Sequence, residues 1–312
     1  MEMSQQASVY GGQAVVEGVM FAGKSVHVTA VRRKNNEITF LEVPKEDKVW
    51  LNRLKKIPFI RGIVAIVEAS AKGSKHLTYS AEAYAEDENP DAAKKPEKPT
   101  LAGNLALYLG VAVIGVLSLI FGKLIFTLVP AAVEDVLFRN SFDNQFLHTL
   151  VEGLIKIVFL CVYIYIISLT PMIKRLFQYH GAEHKVISAY EAGVDLTVPN
   201  VQRFSTLHYR CGSSFIIFTV LLGVIIYSFF HYDSLAERML QRILLLPVVI
   251  GVSYEVLRFT NSLRDTPVLR YLGYPGLWLQ KLTTKEPEDA QVEVSIASFN
   301  RMREIDRGSF VS

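Results

Sequence analysis

Four stretches of the chain are apolar over about 17–26 residues: Asn104–Val129, Gly153–Ile173, Ser213–Phe230 and Ile243–Phe259. An α-helix of about 20 residues crosses the roughly 30 Å hydrocarbon layer of a bilayer, so each stretch reads as a membrane span, the fourth being the shortest. Ahead of them the pattern is different. Ser25–Arg33 and Glu37–Val43 are rich in Val, Thr, Ile and Phe and flank Asn35-Asn36, a hairpin signature. Gly11, Gly12, Gly18 and Gly23 punctuate the preceding stretch and predict sharp backbone bends. Residues 47–84 read as helix broken at Pro58, and Ile57–Ala71, apolar but holding Arg61 and Glu68, reads as a helix lying on the membrane surface or packed on the spans. Glu86–Thr100 mixes Pro, Lys, Glu and Asp and predicts a flexible linker. The resulting expectation is an α+β cytoplasmic N-terminal domain (1–85), a linker (86–100), a four-helix transmembrane bundle (101–260) with a basic loop (174–212), and a C-terminal cytoplasmic segment with a helix (261–312).

Charge sets the orientation. The connection after the first span carries Arg139 against Glu134, Asp135, Asp143 and Glu152, whereas the one after the second carries Lys174, Arg175, Lys185, Arg203 and Arg210. Cytoplasmic loops carry the excess of Lys and Arg, so four crossings place both termini in the cytoplasm. The N-terminus lacks the basic-then-apolar pattern of a signal peptide. The net charge of +3 gives no electrostatic case for nucleic acid. Cys161 and Cys211 are too few for a disulfide framework and are expected to be free thiols. Lys123 and Lys156 fall within the first two spans, and Lys156 is near enough to an end to snorkel.

The most specific short pattern is His180-Gly181-Ala182-Glu183-His184, an H-x-x-E-H arrangement. At about 100° per residue, His180 and His184 lie about 40° apart on one helix face, with Glu183 about 60° to the other side of His180. Two imidazoles so placed can hold Zn²⁺ or another divalent metal, and the neighbouring carboxylate can serve as general base. The bland alternative is a hydrogen-bonded polar cluster at the end of a span. His208-Tyr209-Arg210-Cys211 offers a nitrogen and a thiolate at ligand-compatible spacing, and Glu255, a carboxylate in an apolar segment at the same membrane face, is a further candidate ligand. Its competing reading is an ion pair with Arg258. Glu17, in the glycine-rich stretch, and Arg61 are additional candidates.

Gly11–Met20, Pro58–Gly62, Tyr179–Lys185, His208–Gly212 and Thr283–Pro287 together resemble the YqhQ-like family of bacterial membrane proteins, a family of unknown function sometimes described as predicted metal-dependent enzymes. The resemblance covers most of residues 10–300. It implies a bacterial cytoplasmic membrane location and a metal, and it implies no substrate. Two functions then compete: a metal-dependent hydrolase at the cytoplasmic membrane face, with His180, His184, Glu255, His208 and Cys211 as candidate ligands and Glu183 as base, or a non-catalytic accessory. The accessory would act in membrane-protein insertion or quality control. Expected partners are the lipid bilayer and either a membrane-protein biogenesis complex or further copies of the chain.

Overall fold

Thr29, Ala30 and Val31 sit at the centre of a strand buried on both faces, and what covers each face organises the molecule. The computed structural model describes residues 10–46, 49–89, 125–126, 129–263 and 266–308. Four strands, β1 (Gly11–Val15), β2 (Gly18–Ala22), β3 (Val26–Arg32) and β4 (Ile38–Pro44), form an antiparallel meander in the order β1-β2-β3-β4. The β3–β4 turn carries Asn36 at φ 68°, a left-handed conformation that asparagine tolerates, so the expected hairpin is present with Val31 opposite Thr39.

One face of the sheet, through Val19, Phe21, Val26, Val28 and Ala30, packs on Phe299 and Met302 of a C-terminal helix and on Tyr179, Ala182 and Val186 of a central one. The C-terminal helix, which we label α10 (Asp289–Gly308), is tied down along its length. Ser298 Oγ lies 3.0 and 3.1 Å from the carbonyls of Val19 and Val28, and Asp306 accepts from the Lys24 and Ser25 amides at 2.7 and 2.8 Å. The other face carries Val15 and Val31 against Ala83 of α2 (Ile60–Glu88), which follows a short α1 (Val49–Leu54). The larger core is therefore assembled from three separated stretches, within residues 10–38, 179–204 and 292–305, beside the smaller cluster of Val15, Val31 and Ala83. The helix expected to end near residue 84 runs to Glu88, where Arg33 pairs with Glu86 and Asp87. Three residues assigned to the linker are thus helical, Asn89 caps them, and 90–100 lie outside the described residues.

Residues 129–138 are helical, and after them come α3 (Gln145–Ser168), α4 (Pro171–Glu191), α5 (Val198–Gln202), α6 (Ser214–Tyr227), α7 (Leu235–Leu244) and α8 (Leu246–Ser262). A 3₁₀ turn (Leu269–Gly273) and α9 (Tyr274–Thr283) lead to α10. Among the described residues α3 alone is a single straight helix long and apolar enough to cross a membrane. The pair α7–α8, bent by 48°, makes a second candidate if counted as one span. α6 is apolar but has 14 residues, and nearly all of the first expected span lies outside the described residues. Among the described residues there is thus one clear crossing where four spans were expected, the first of them lying almost wholly outside those residues. The segment 174–212, expected as a basic loop, is instead largely helical, because Pro171 opens α4 at a position where proline fits and α4 buries its apolar face on the sheet.

Candidate metal centre

α4 carries His180, Glu183 and His184 on the side turned toward the chain that follows α5 and toward the strap after α9. His180 Nδ1–H donates to the Thr283 carbonyl at 2.9 Å, and His184 Nδ1–H donates to the Thr206 carbonyl at 2.5 Å. A carbonyl can only accept, so each Nδ1 carries the proton and each Nε2 keeps its lone pair. Cys211 lies between those two nitrogens. Its sulfur is 3.2 Å from His180 Nε2, it also hydrogen-bonds His184, and Ser213 Oγ is 3.0 Å away. One thiol has a single proton to give to two imidazole lone pairs, which leaves one of the three donors unmet unless a cation takes them all.

Donor atoms of His180, His184 and Cys211 all fall within 4.8 Å of one another. A tetrahedral ion with bonds of about 2.0–2.3 Å wants its donors about 3.3–3.8 Å apart, so the cluster is within about 1 Å of ligating geometry. Backbone carbonyls holding Nδ1–H are the usual outer support of a ligating histidine, fixing tautomer and ring orientation. Burial pushes His184 below its ordinary pKa of 6.5 and so favours the neutral, ligating form.

Glu183 is buried beside the cluster and accepts a hydrogen bond from the Gly12 amide. Burial raises its pKa above the ordinary carboxylate value, a shift that nearby His180 and His208 oppose. His180, Glu183, His184, His208 and Cys211 line one cavity of about 330 Å³, which Gly11 and Gly12 of β1 close from the other side. Gly12 has no room for a side chain: a Cβ there would lie 2.6 Å from the Met20 carbonyl and 2.9 Å from Glu183 Cγ and Cδ. Gly12→Ala should therefore push both the Glu183 side chain and the β1–β2 backbone, lowering the melting temperature together with any activity that depends on Glu183. An unchanged melt with unchanged activity would count against the placement. Gly181, which weakens the helix intrinsically, is required by packing, since a Cβ would lie 2.2 Å from the Lys285 carbonyl.

The other candidates lie elsewhere. The His208 ring lies 5.7 Å from the His184 ring and tilted 42° to it, but its Nδ1 accepts from the Arg210 amide and its Nε2 faces Glu191 at 3.6 Å, so it flanks the cluster without contributing a donor atom. Its backbone is pinned by Gln280, which both accepts from His208 N and donates to His208 O at 2.9 Å. Glu255 is not at the site. Arg61 holds it through a two-pronged ion pair, with Nε donating to Oε1 at 2.6 Å, and the Phe59 amide donates to the same oxygen at 3.1 Å. That is a helix-to-helix clamp between α2 and α8, and Arg258, the expected partner, is not the one chosen. Glu17 occupies the β1–β2 turn at φ 52°, where Arg175 grips it bidentately at 2.5 Å and Tyr179 donates to it at 3.3 Å, docking the hairpin on α4. The Thr206 and Thr283 carbonyls and Gln280 are invisible to sequence reasoning, because nothing in a side-chain pattern marks a backbone acceptor.

A family described as "Protein of unknown function (DUF1385)" matches residues 57–305. The chain belongs to this family. It is also 53% identical over 297 residues to "Uncharacterized protein YqhQ" of Bacillus subtilis (strain 168), covering 95% of this chain and 93% of that one. No solved structure matches.

Proposed function

We propose that this protein is a multi-pass protein of the bacterial cytoplasmic membrane, with both termini in the cytoplasm, and that it is a metal-dependent hydrolase. A divalent cation would sit between His180, His184 and Cys211, and the substrate would enter the cavity that Glu183 lines. The observation that carries the reading is the pair of Nε2 lone pairs, each set by an Nδ1–H to carbonyl bond, converging with a thiol. Two imidazoles and a thiolate suit a borderline ion such as Zn²⁺. Three protein donors facing a cavity is the pattern of catalytic sites and differs from a closed four-ligand structural site.

Bound there, the ion would supply Lewis acidity to a carbonyl or phosphoryl oxygen. The chain's own part is proton handling. Glu183, lifted by burial toward the neutral range, can take a proton from attacking water and return it to the leaving group. The Gly12 amide fixes which carboxylate oxygen is committed and leaves the other for that work. The site lies on α4, directly after the one clear span, so a substrate held in or at the bilayer reaches it by lateral diffusion.

Metal content of the detergent-extracted protein, together with hydrolysis by Glu183→Gln, tests the chemistry. Topology is tested separately: reporter fusions at Asn89 and Gly308 should both report cytoplasm, and an external signal from either overturns the orientation that puts the site inside.

A further inference from the structure

Two cavities adjoin on the α2-covered side of the sheet, and neither is lined by His180, His184 or Cys211. The first, of about 510 Å³, lies between β4 and α1–α2 and has apolar walls from Val43, Leu51, Ile63, Val64 and Val67, with Trp50 beside them. The second, of about 500 Å³, is walled by Lys45, Lys55, Arg61, Lys72 and Arg258 with the single acid Glu68. Both sizes fall in the about 300–1,000 Å³ range of small-molecule sites. His27, Lys45, Lys55, Glu68 and Lys72 line both, so an apolar compartment opens directly onto a cationic one.

His27 stands at that junction. It is 6% exposed, and neither ring nitrogen has a hydrogen-bond partner. A neutral imidazole carries one N–H, so a buried donor goes unmet, a state that costs about 1–3 kcal/mol and is rare in native structures. Burial, with Lys72 and Lys45 next in effect, lowers its pKa to about 4, which keeps it neutral. The nearby carboxylates do not balance the cations. Glu68 is shared by Lys55 and Lys72, Glu255 takes Arg61, and Glu46 lines the first cavity with Lys75, so Lys45, Lys55, Arg61, Lys72, Lys75 and Arg258 still outnumber the carboxylates Glu46, Glu68 and Glu255.

The surroundings say where an occupant comes from. Arg258 and Tyr254, which line the cationic cavity, belong to α8, part of the bent candidate span. Trp50, Phe59, Ile60 and Val67 around the α1–α2 elbow are 62%, 54%, 42% and 63% exposed, an apolar rim with a tryptophan of the kind that seats at a membrane interface. We infer that the double cavity holds one anionic phospholipid of the bilayer, its phosphate among Lys45, Lys72 and Arg258 and an acyl chain between Val64, Val67 and Trp50. Such a lipid would join α1–α2 to the end of α8 independently of any chemistry at His180.

The chain has two tryptophans, and Trp50 lines the cavity while Trp278 does not. Full-length Trp278→Phe protein, delipidated in a nonionic detergent, therefore reports occupancy through Trp50 emission. Dioctanoyl phosphatidylglycerol should shift that emission to the blue and saturate near one equivalent. Phosphatidylcholine of the same chain length should bind at least about 10-fold more weakly, and inorganic phosphate should give no shift. On the Trp278→Phe background, Val64→Phe, which fills the apolar half, and Lys45→Gln/Lys72→Gln, which removes two cations, should each weaken binding by about 10-fold. Equal response to the two phospholipids overturns the inference. So does a phosphate affinity matching that of phosphatidylglycerol, which would mean an anion site without a chain site. The comparison of ligands on the unsubstituted cavity decides the matter even if a variant fails to fold.

Discussion

Purified without chelator, the protein should carry close to one equivalent of a divalent metal, and His180→Ala, His184→Ala or Cys211→Ala should each remove most of it. Only three donors converge here, and two seldom hold Zn²⁺ tightly. Loss of an outer support alone typically costs 10–100-fold in affinity, so loss of a ligand should cost more. Glu183→Gln should behave differently. A glutamine oxygen can still accept from the Gly12 amide, so the metal should stay while hydrolysis falls by about 10²–10⁴-fold. The pH dependence follows from sign. His184 has its pKa depressed by burial, so it stays neutral and available to the metal at pH values where an ordinary imidazole is already protonated, while protons competing for the donor set as a whole should displace the metal as pH falls. Neutral His184 also contributes stability to the metal-free fold that is fully present above the unfolded value of 6.5 and is lost as pH falls below it. Elemental analysis across a pH series checks both. A metal-free parent that still functions in cells, with all four substitutions acting only through stability, would instead identify the cluster as a hydrogen-bonded scaffold.

The same cluster shows what a sequence does and does not disclose. His180 and His184 were legible because a helical period places residues four apart on one face, and Cys211 was legible as a thiol near the same membrane depth. Glu255 shared that depth and was a false ligand, because depth along a helix says nothing about which way the side chain turns. Arg61, fixed by the Pro58 break that starts α2, reached it first. Hairpins were readable from Asn35-Asn36 and the β-branched runs, whereas the cover over the sheet was not. The segment 261–312 was expected to hold a helix, and only tertiary structure reveals that Phe299 and Met302 of α10 close a core that begins at Tyr10. The segment between the third and fourth expected spans, 231–242, carries Asp233, Glu237, Arg238 and Arg242 and reads as a short mixed loop, yet α7 runs through it and Arg238 and Arg242 are buried. Charge counts alone do not distinguish a solvated loop from a helix whose arginines find buried partners.

Those partners make Glu152 the residue whose loss should cost the fold most. Its carboxylate, on α3, is gripped by Arg238 and by Arg242, whose Nε donates at 3.1 Å, and Lys156 lies 3.4 Å away one turn on. Glu134 completes the cluster, 3.4 Å from Arg238 and 2.5 Å from His148. Arg238 and Arg242 are further held over the rings of Tyr232 and Tyr227 at 4.9 and 4.8 Å. Every member except His148 and Lys156 is at least 95% buried, so water cannot replace a missing charge. Replacing a buried ion pair by apolar groups is often neutral, but removing one side strands the other, at about 3–5 kcal/mol. Glu152→Ala strands the Arg242 guanidinium and leaves Arg238 with Glu134 alone. It should therefore lower the detergent-solubilised protein's melting temperature far more than Glu17→Ala, which frees a half-exposed Arg175 that solvent can reach. Arg242→Met on the Glu152→Ala background should recover part of the loss, because it deletes the stranded charge. Thermal melts of the single and double variants form a cycle that isolates this coupling. If Glu152→Ala melts within about 1 °C of the parent, the ion cluster does not hold α3 to the α7–α8 bend. The arginines would then have to be accommodated by water or headgroups at the membrane edge.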